Sequence, residues 1–320
     1  MKRLVQCVPN FSEGINKKTI EAIVAPLKNK AGFTLIGYEA DPDYNRTVVT
    51  LLGDPEAMME PLCLFIQKAI EKIDLRKHQG NHPRMGAVDV VPFIPIKGIK
   101  MAECITYAKQ LAEKVSTFQI PVFLYGKAAT KPERESLPAI RQGEFEGMKE
   151  KLLQPEWIPD YGPRERHETF GVVAIGARMP LIAFNIDLMS PDKEIASTIA
   201  KTIRKSSGGF QYVQAGPAYL NQRGHIQVTM NILDYTKNPI YRLLEMVKME
   251  AKRYLIDVPS CELIGLVPRK ALEESVFYYL ERDQKNKSKF SIAEIAELAV
   301  FYLGLRDFNP GKIIESHLKE

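Results

Sequence analysis

The sequence predicts an α+β fold of two subdomains with similar βαββαβ-like topology, each a sheet with helices packed on one face. Three observations support this. The chain has 320 residues, enough for two modest domains. Apolar residues make up 45%, enough for real cores. Strand-like and helix-like runs also follow one another in nearly the same order twice.

In the first half, "RLVQCVPNF" reads as a buried strand ending at a proline. "NKKTIEAIVAPLKNK" has Ile20, Ile23 and Leu27 at helical spacing. "FTLIGYEA" and "RTVVTLLG" are β-branched or aromatic strands divided by the turn "DPDYN". A helix is expected over 55–73, with Pro61 set to disturb it. "AVDVVPFIP" is a strand, residues 101–115 a helix and "IPVFLYG" a strand. A polar stretch from Ala128 to Arg166 then holds a short helix in "RQGEFEGMKEKL" and runs into the loop "PDYGPRERHETFG".

A second series begins near residue 171, with "GVVAIGA" and "PLIAFNIDL" as strands. In "SPDKEIASTIAKTIRKSSGG" Ser190 is the expected cap, Pro191 the first helical residue, and Ile195, Ile199 and Ile203 one face. Its "SSGG" follows the helix and so reads as a stop, not a phosphate cradle. "FQYVQAGPAYL" and "GHIQVTMNILDY" are strands, 240–254 a helix and "CELIGLVP" a strand, and two helices finish the chain. The expected division is 1–178 and 179–320.

Composition narrows the function. A net charge of +5 favours anionic partners mildly. Basic residues are spread evenly and no aromatic RNP-like motif appears, so nucleic acid is not expected as a partner. Four scattered cysteines without a CxxC pair read as free thiols of a reducing compartment. The N-terminal apolar run is too short for a signal peptide, and no run of about 18 apolar residues exists. A cytoplasmic protein without a membrane partner is expected.

The stretch "KHQGNHPRMGAVDVVPFIP" holds His78 and His82, four residues apart. Two such histidines share a metal only on a helix face. Gly80 and Pro83 oppose a helix, and the glutamate of HExxH is missing, so no metal is expected. His78 reads as a surface residue. Alone, His82 reads as a loop histidine; with Arg84, Gly86 and Asp89 ahead of a buried strand, it gains a functional reading. Asn45 and Arg46 read either as a turn asparagine and a solvated arginine, or as an amide and guanidinium aimed at an anion. The loop with Asp160, Pro163 and Gly171 is either solvated or a shaped cleft wall. GxSxG, a Walker A motif and GxGxxG are absent.

Taken in order, "CVPNFSEG", "NRTVVT", "HPRMGAVDVVPFIP", "VFLYG", "LPAIRQGEFEGMKEKL", "PDYGP", "GARMPLIAFNIDL", "VQAGPAYL", "QVTMNILDY" and "LIGLVPRKAL" closely resemble the formiminotransferase domain of formiminotransferase–cyclodeaminases and their stand-alone relatives. The resemblance spans nearly the whole chain. It implies two subdomains flanking a basic ligand tunnel, usually in a homodimer. It also implies transfer of a formimino group from N-formimino-L-glutamate to N5 of tetrahydrofolate, a step of histidine degradation feeding one-carbon metabolism. Tetrahydrofolate or its polyglutamate is the implied co-substrate, with no metal.

By the same resemblance His82 is the general acid–base, with Glu39 and Arg84 beside it. Substrate and folate contacts are expected from Asn10, Asn45, Arg46, Asp89, Asp160, Pro163, Phe170, Gly171, Val172 and Arg178. The matching folate segment runs from Pro163 to Val172, with Phe170 available to stack on the pterin. Two departures stand out. Glu39 replaces the family's aspartate, and "PRERHETFGV" is more charged than the apolar form of that loop. Glycine formimidoyltransferase, a 5-formyltetrahydrofolate cyclo-ligase and a non-catalytic folate binder are the alternatives.

Overall fold

Pro9 divides the first apolar run into two short strands, β1 (Leu4–Cys7) and β2 (Asn10–Phe11). Proline has no N–H for the ladder, so the two pieces act as one interrupted strand. Then come α1 (Lys17–Val24), β3 (Phe33–Asp41), β4 (Arg46–Gly53), α2 (Pro55–Lys72), β5 (Val88–Lys97), α3 (Met101–Ser116) and β6 (Val122–Gly126). Two short helices, α4 (Leu137–Arg141) and α5 (Glu144–Lys151), and a last strand, β7 (Val173–Ala177), complete this part. The computed structural model describes residues 3–42, 44–80, 82–220, 225–287 and 289–318. The chain divides into two units, Met1–Arg178 and Met179–Glu320.

Local chemistry sets the helix starts. Asn16 accepts the Thr19 N–H at the head of α1, and Asp54 accepts the Glu56 N–H at the head of α2, where Pro55 takes the first turn. α2 continues through Pro61, which is buried.

The first sheet has the spatial order β3-β4-β1/β2-β5-β7-β6. Its first four positions are antiparallel, whereas β7 runs parallel to both β5 and β6. The run "GVVAIGA", read from sequence as opening the second half, therefore closes the first. β7 is buried along its whole length. A two-sided apolar run reports burial, not which sheet the strand joins.

α1, α2 and α3 cover one face of this sheet, in a core that includes Phe11, Val49, Leu51, Phe65, Val91 and Leu111. α4 and α5 cover part of the other face, around Val90, Phe123, Ile140 and Met148. The expectation of helices on a single face thus holds for the long helices only.

The second unit contains β8 (Ile182–Leu188), α6 (Lys193–Ile203), β9 (Val213–Leu220), β10 (His225–Ile232), α7 (Ile240–Lys252), β11 (Cys261–Ile264), α8 (Arg269–Arg282) and α9 (Ile292–Leu303). Its sheet is antiparallel with the order β11-β8-β10-β9. The cap of α6 differs from expectation. Asp192 accepts the Glu194 N–H, while Ser190 Oγ accepts the Asp192 N–H, so Pro191 lies outside the helix. Two candidate caps two residues apart are not ordered by composition. After α6 a short turn at Lys205–Ser207 closes on Gly208 at φ +88°, a stop as expected.

Candidate active site

Residues directly opposite one another in adjacent strands share a face. Asn10 faces Val48 and Val90, Glu39 faces Val48, and Asp41 faces Arg46. Phe11 and Val49 belong to the helix-covered core, so Asn10, Glu39 and Arg46 stand on the opposite face. They gather where β2 and β3 end and β4 and β5 begin.

The loop carrying His82 is fastened on both sides. On one side His78 Nε2–H donates to the Asn45 carbonyl at 2.9 Å, and Asn45 Nδ2 donates to the Gln79 carbonyl at 2.7 Å. Asn45, at φ +47°, also accepts the Gly14 N–H at 2.8 Å. Gly80 lies so close to this turn that a Cβ would stand 2.5 Å from the Tyr44 carbonyl oxygen. On the other side Met85 N–H donates to Asp89 Oδ1 at 2.9 Å, Phe145 N–H to the Arg84 carbonyl at 2.8 Å, and Ser12 Oγ to the Gly86 carbonyl at 2.9 Å. At Gly86 a Cβ would meet the Val172 carbonyl oxygen at 1.9 Å, which only glycine avoids. Between the two fastenings the His82 ring meets Tyr44 edge-on, with centroids 6.4 Å apart.

The charged groups that act on this ring are cationic. Arg46 places its guanidinium over Tyr44 at 5.8 Å. Its Nε is buried and has no hydrogen-bond partner, and among the described residues its guanidinium forms no ion pair. Burial and then the like charge of Arg141 push its pKa down. Arg141, at the end of α4, directs Nε and Nη2 to Asp89 Oδ2, with Nε at 2.7 Å. Asp89 is 1% exposed and its other oxygen is taken by Met85, so it aims Arg141. His82 feels burial first, then Arg46, Arg141 and His78, and its pKa falls to about 3. The imidazole is therefore neutral near pH 7, with a lone pair to offer. Buried Tyr125 of β6 feels Arg178, just after β7, to which it is hydrogen-bonded, and Arg141.

The structure sorts the expected residues differently from the sequence. Arg84 gives its fork to Glu146 at 2.9 and 2.7 Å and also reaches Glu144 at 2.9 Å, so its charge is already answered. Glu39 is exposed, and among the described residues no hydrogen bond joins it to His82. Asp160 is buried against Arg134 at 2.9 Å and accepts the Leu124 N–H at 2.8 Å, holding β6 to the loop that follows α5. Phe170 is 0% exposed within the helix-side core and faces His167, which leaves no ring face for a pterin. Gly171 pairs its backbone with His167 and Gly86, and Val172 is buried beside Met85. Pro163 is half-buried, and the exposed residues of its loop are Arg164, Glu165 and Glu168. His78, expected at the surface, is half-buried and helps to fasten the loop.

Sequence reasoning did not single out Arg141 or Tyr44. The fragment "AIRQGEFEG" ends a short helix at a basic residue, a weak signal that gains meaning only when Asp89 is seen to hold it.

"Formiminotransferase domain, N-terminal subdomain" matches residues 4–178, and "Formiminotransferase domain" matches 183–319. The chain is 48% identical over 282 residues to a glutamate formimidoyltransferase of Streptococcus pyogenes serotype M1, covering 88% of this chain and 94% of that one. A glutamate formimidoyltransferase of Thermoplasma acidophilum is 39% identical, over 87% of this chain and 92% of its own. A formimidoyltransferase-cyclodeaminase of Rattus norvegicus is 42% identical over 89% of this chain, which spans about half (54%) of that longer protein. The chain is thus an enzyme of the transferase class. It belongs to the formiminotransferase domain family.

Proposed function

We propose that this chain transfers the formimino group of N-formimino-L-glutamate to N5 of tetrahydrofolate, releasing L-glutamate and 5-formiminotetrahydrofolate. The single observation that carries the reading is the neutral His82 held next to two guanidiniums, one unpaired and one aimed by a buried aspartate. Arg141 engages Asp89 through Nε and Nη2, which leaves Nη1 beside the Arg46 guanidinium for carboxylates, and a donor with two carboxylates fits that pair better than a donor with one. This favours formiminoglutamate over formiminoglycine.

The chemistry follows from charge. The acceptor amine attacks the amidine-like carbon and forms a C–N bond, and a tetrahedral centre with three nitrogens results. The new nitrogen must shed a proton, and the departing amine of glutamate must gain one as its C–N bond breaks. His82 receives the first proton and returns it to the leaving group. Burial, then Arg46 and Arg141, suppress imidazole protonation. Carboxylates bound to them offset that charge, so the donor itself raises the basicity of His82. No covalent link to the protein is needed.

The acceptor's glutamate tail is assigned to the exposed part of the loop from Pro163 to Val172, where Arg164 offers a cation. The homodimer, the cytoplasmic location and the role in histidine breakdown belong to the same proposal. No described helix is long and apolar enough to cross a membrane.

Turnover of formiminoglutamate with tetrahydrofolate tests the reading, run beside formiminoglycine and 5-formyltetrahydrofolate. His82→Ala should lower the rate by roughly 100-fold or more. Ligand binding without consumption of the donor would leave only a folate-binding role.

A further inference from the structure

Lys151 is a buried cation that the proposed chemistry does not use. It is 8% exposed, at the end of α5, and among the described residues no carboxylate pairs with it. Its Nζ donates instead to three backbone carbonyls, those of Ala139 at 2.7 Å, Ile140 at 2.8 Å and Gln142 at 3.0 Å. These carbonyls bracket Arg141 at the C-terminal end of α4. A helix of five residues has too few internal bonds to fix its own last turn. Its orphan carbonyls need partners, and a cation is the most favourable one there.

The ammonium is in turn held from the other side. The Trp157 ring lies with its centroid 3.9 Å from Nζ, close enough for a cation–π contact. Trp157 packs edge-on against Phe123 of β6 at 6.2 Å. The turn that carries it is tied down by Lys131, which donates to the Pro155 carbonyl at 3.1 Å, and by Arg134, which donates to the Glu156 carbonyl at 2.8 Å. A continuous set of contacts thus runs from β6 through Trp157 and Lys151 to the backbone around Arg141.

We propose that Lys151 is a positioning residue for the transfer reaction: it clamps the end of α4 so that Arg141 meets Asp89 and the donor carboxylate at one fixed place. The inference rests on the reading of Arg141 as part of the donor site. Burying an ammonium without a carboxylate is costly for packing alone, and an apolar side chain would fill the space more simply. Three bonds converging on the flanks of one arginine give the charge a purpose.

The test is steady-state kinetics of the full chain, with formiminoglutamate varied at saturating tetrahydrofolate. The variants are Lys151→Met, Arg141→Gln and the double variant. Arg141→Gln is expected to raise the donor KM about 10-fold, as loss of a charge-assisted bond does. Lys151→Met should raise it about 5-fold with kcat within about 2-fold of wild type, and should add nothing to Arg141→Gln, because the two act as a unit. Additive effects, or a fall in kcat with KM unchanged, would overturn the proposal. If Lys151→Met does not fold, Trp157→Leu withdraws the ring and keeps the hydrogen bonds. It should raise KM about 2- to 5-fold in wild type and not in Arg141→Gln, and an unchanged KM in wild type would overturn the clamp. Wild-type protein that never consumes formiminoglutamate is a different result. It refutes the proposed function and, with it, the donor-site role of Arg141 that the clamp serves.

Discussion

Arg46→Gln should make His82 easier to protonate. The imidazole is pushed from its ordinary 6.5 to about 3 by burial, then by Arg46, Arg141 and His78. Arg46 is the largest of the three charge contributions, and among the described residues its guanidinium forms no ion pair, although Asp89 and Asp41 act on it from further off. A neutral side chain of similar length removes that charge while burial and Arg141 remain. The expected rise is about one pKa unit, the usual effect of one neighbouring charge on a partly buried group. The direction follows from the sign: a cation disfavours the protonated ring, so its removal raises the pKa. The histidine ring-proton shifts, followed by NMR from pH 8 downward, read this directly. In wild type the His82 signal should not move between pH 8 and 5, and in Arg46→Gln its titration should begin at higher pH. Because kcat/KM reports ionisations of the free enzyme, its acid limb should shift the same way. Adding glutamate to wild type should also raise the His82 pKa, since its carboxylates answer both arginines. A wild-type His82 that titrates near 6.5, or a variant in which it does not move, would refute the cationic-field reasoning.

Two further outcomes follow from the same geometry. Phe170→Ala should destabilise the fold by about 3–5 kcal/mol in urea unfolding, with folate affinity nearly unchanged in the folded fraction, because the ring is core. A large loss of folate affinity at unchanged stability would restore the stacking role. Asp89→Asn should cost about 3–5 kcal/mol of stability by leaving Arg141 without its buried counter-charge, again read by urea unfolding. A loss under 1 kcal/mol would mean that Asp89 does not hold Arg141.

Periodicity and turn chemistry made most elements legible. Alternating runs located the strands, and Gly80 and Pro83 correctly argued against a helix joining His78 to His82. Sheet membership was not legible. "GVVAIGA" reads the same whether it opens one sheet or completes another, because pairing is decided by distant strands. At the site, residue type suggested anion binding but could not show which charges were already answered. Arg84 and Arg46 look equivalent as letters. One is spent on Glu146 and Glu144, and the other forms no ion pair among the described residues. Phe170 was misplaced for the same reason, since an aromatic in a charged loop can point either way, and this one points into the core.

The insertion of β7 between β5 and β6 bears on how the chain folds as it is made. β6 ends at Gly126 and its neighbour β7 ends at Ala177, which is 51 residues later (177 minus 126). At a synthesis rate of roughly 5–20 residues per second, β6 waits about 3–10 s for the strand that joins it to the sheet. Throughout that interval β5 and β6 both present apolar, unpaired edges to solvent or to a chaperone. The nascent N-terminal unit is therefore most vulnerable to aggregation just before its last strand emerges. A ribosome stalled before Ala177 would leave that unit without its seam.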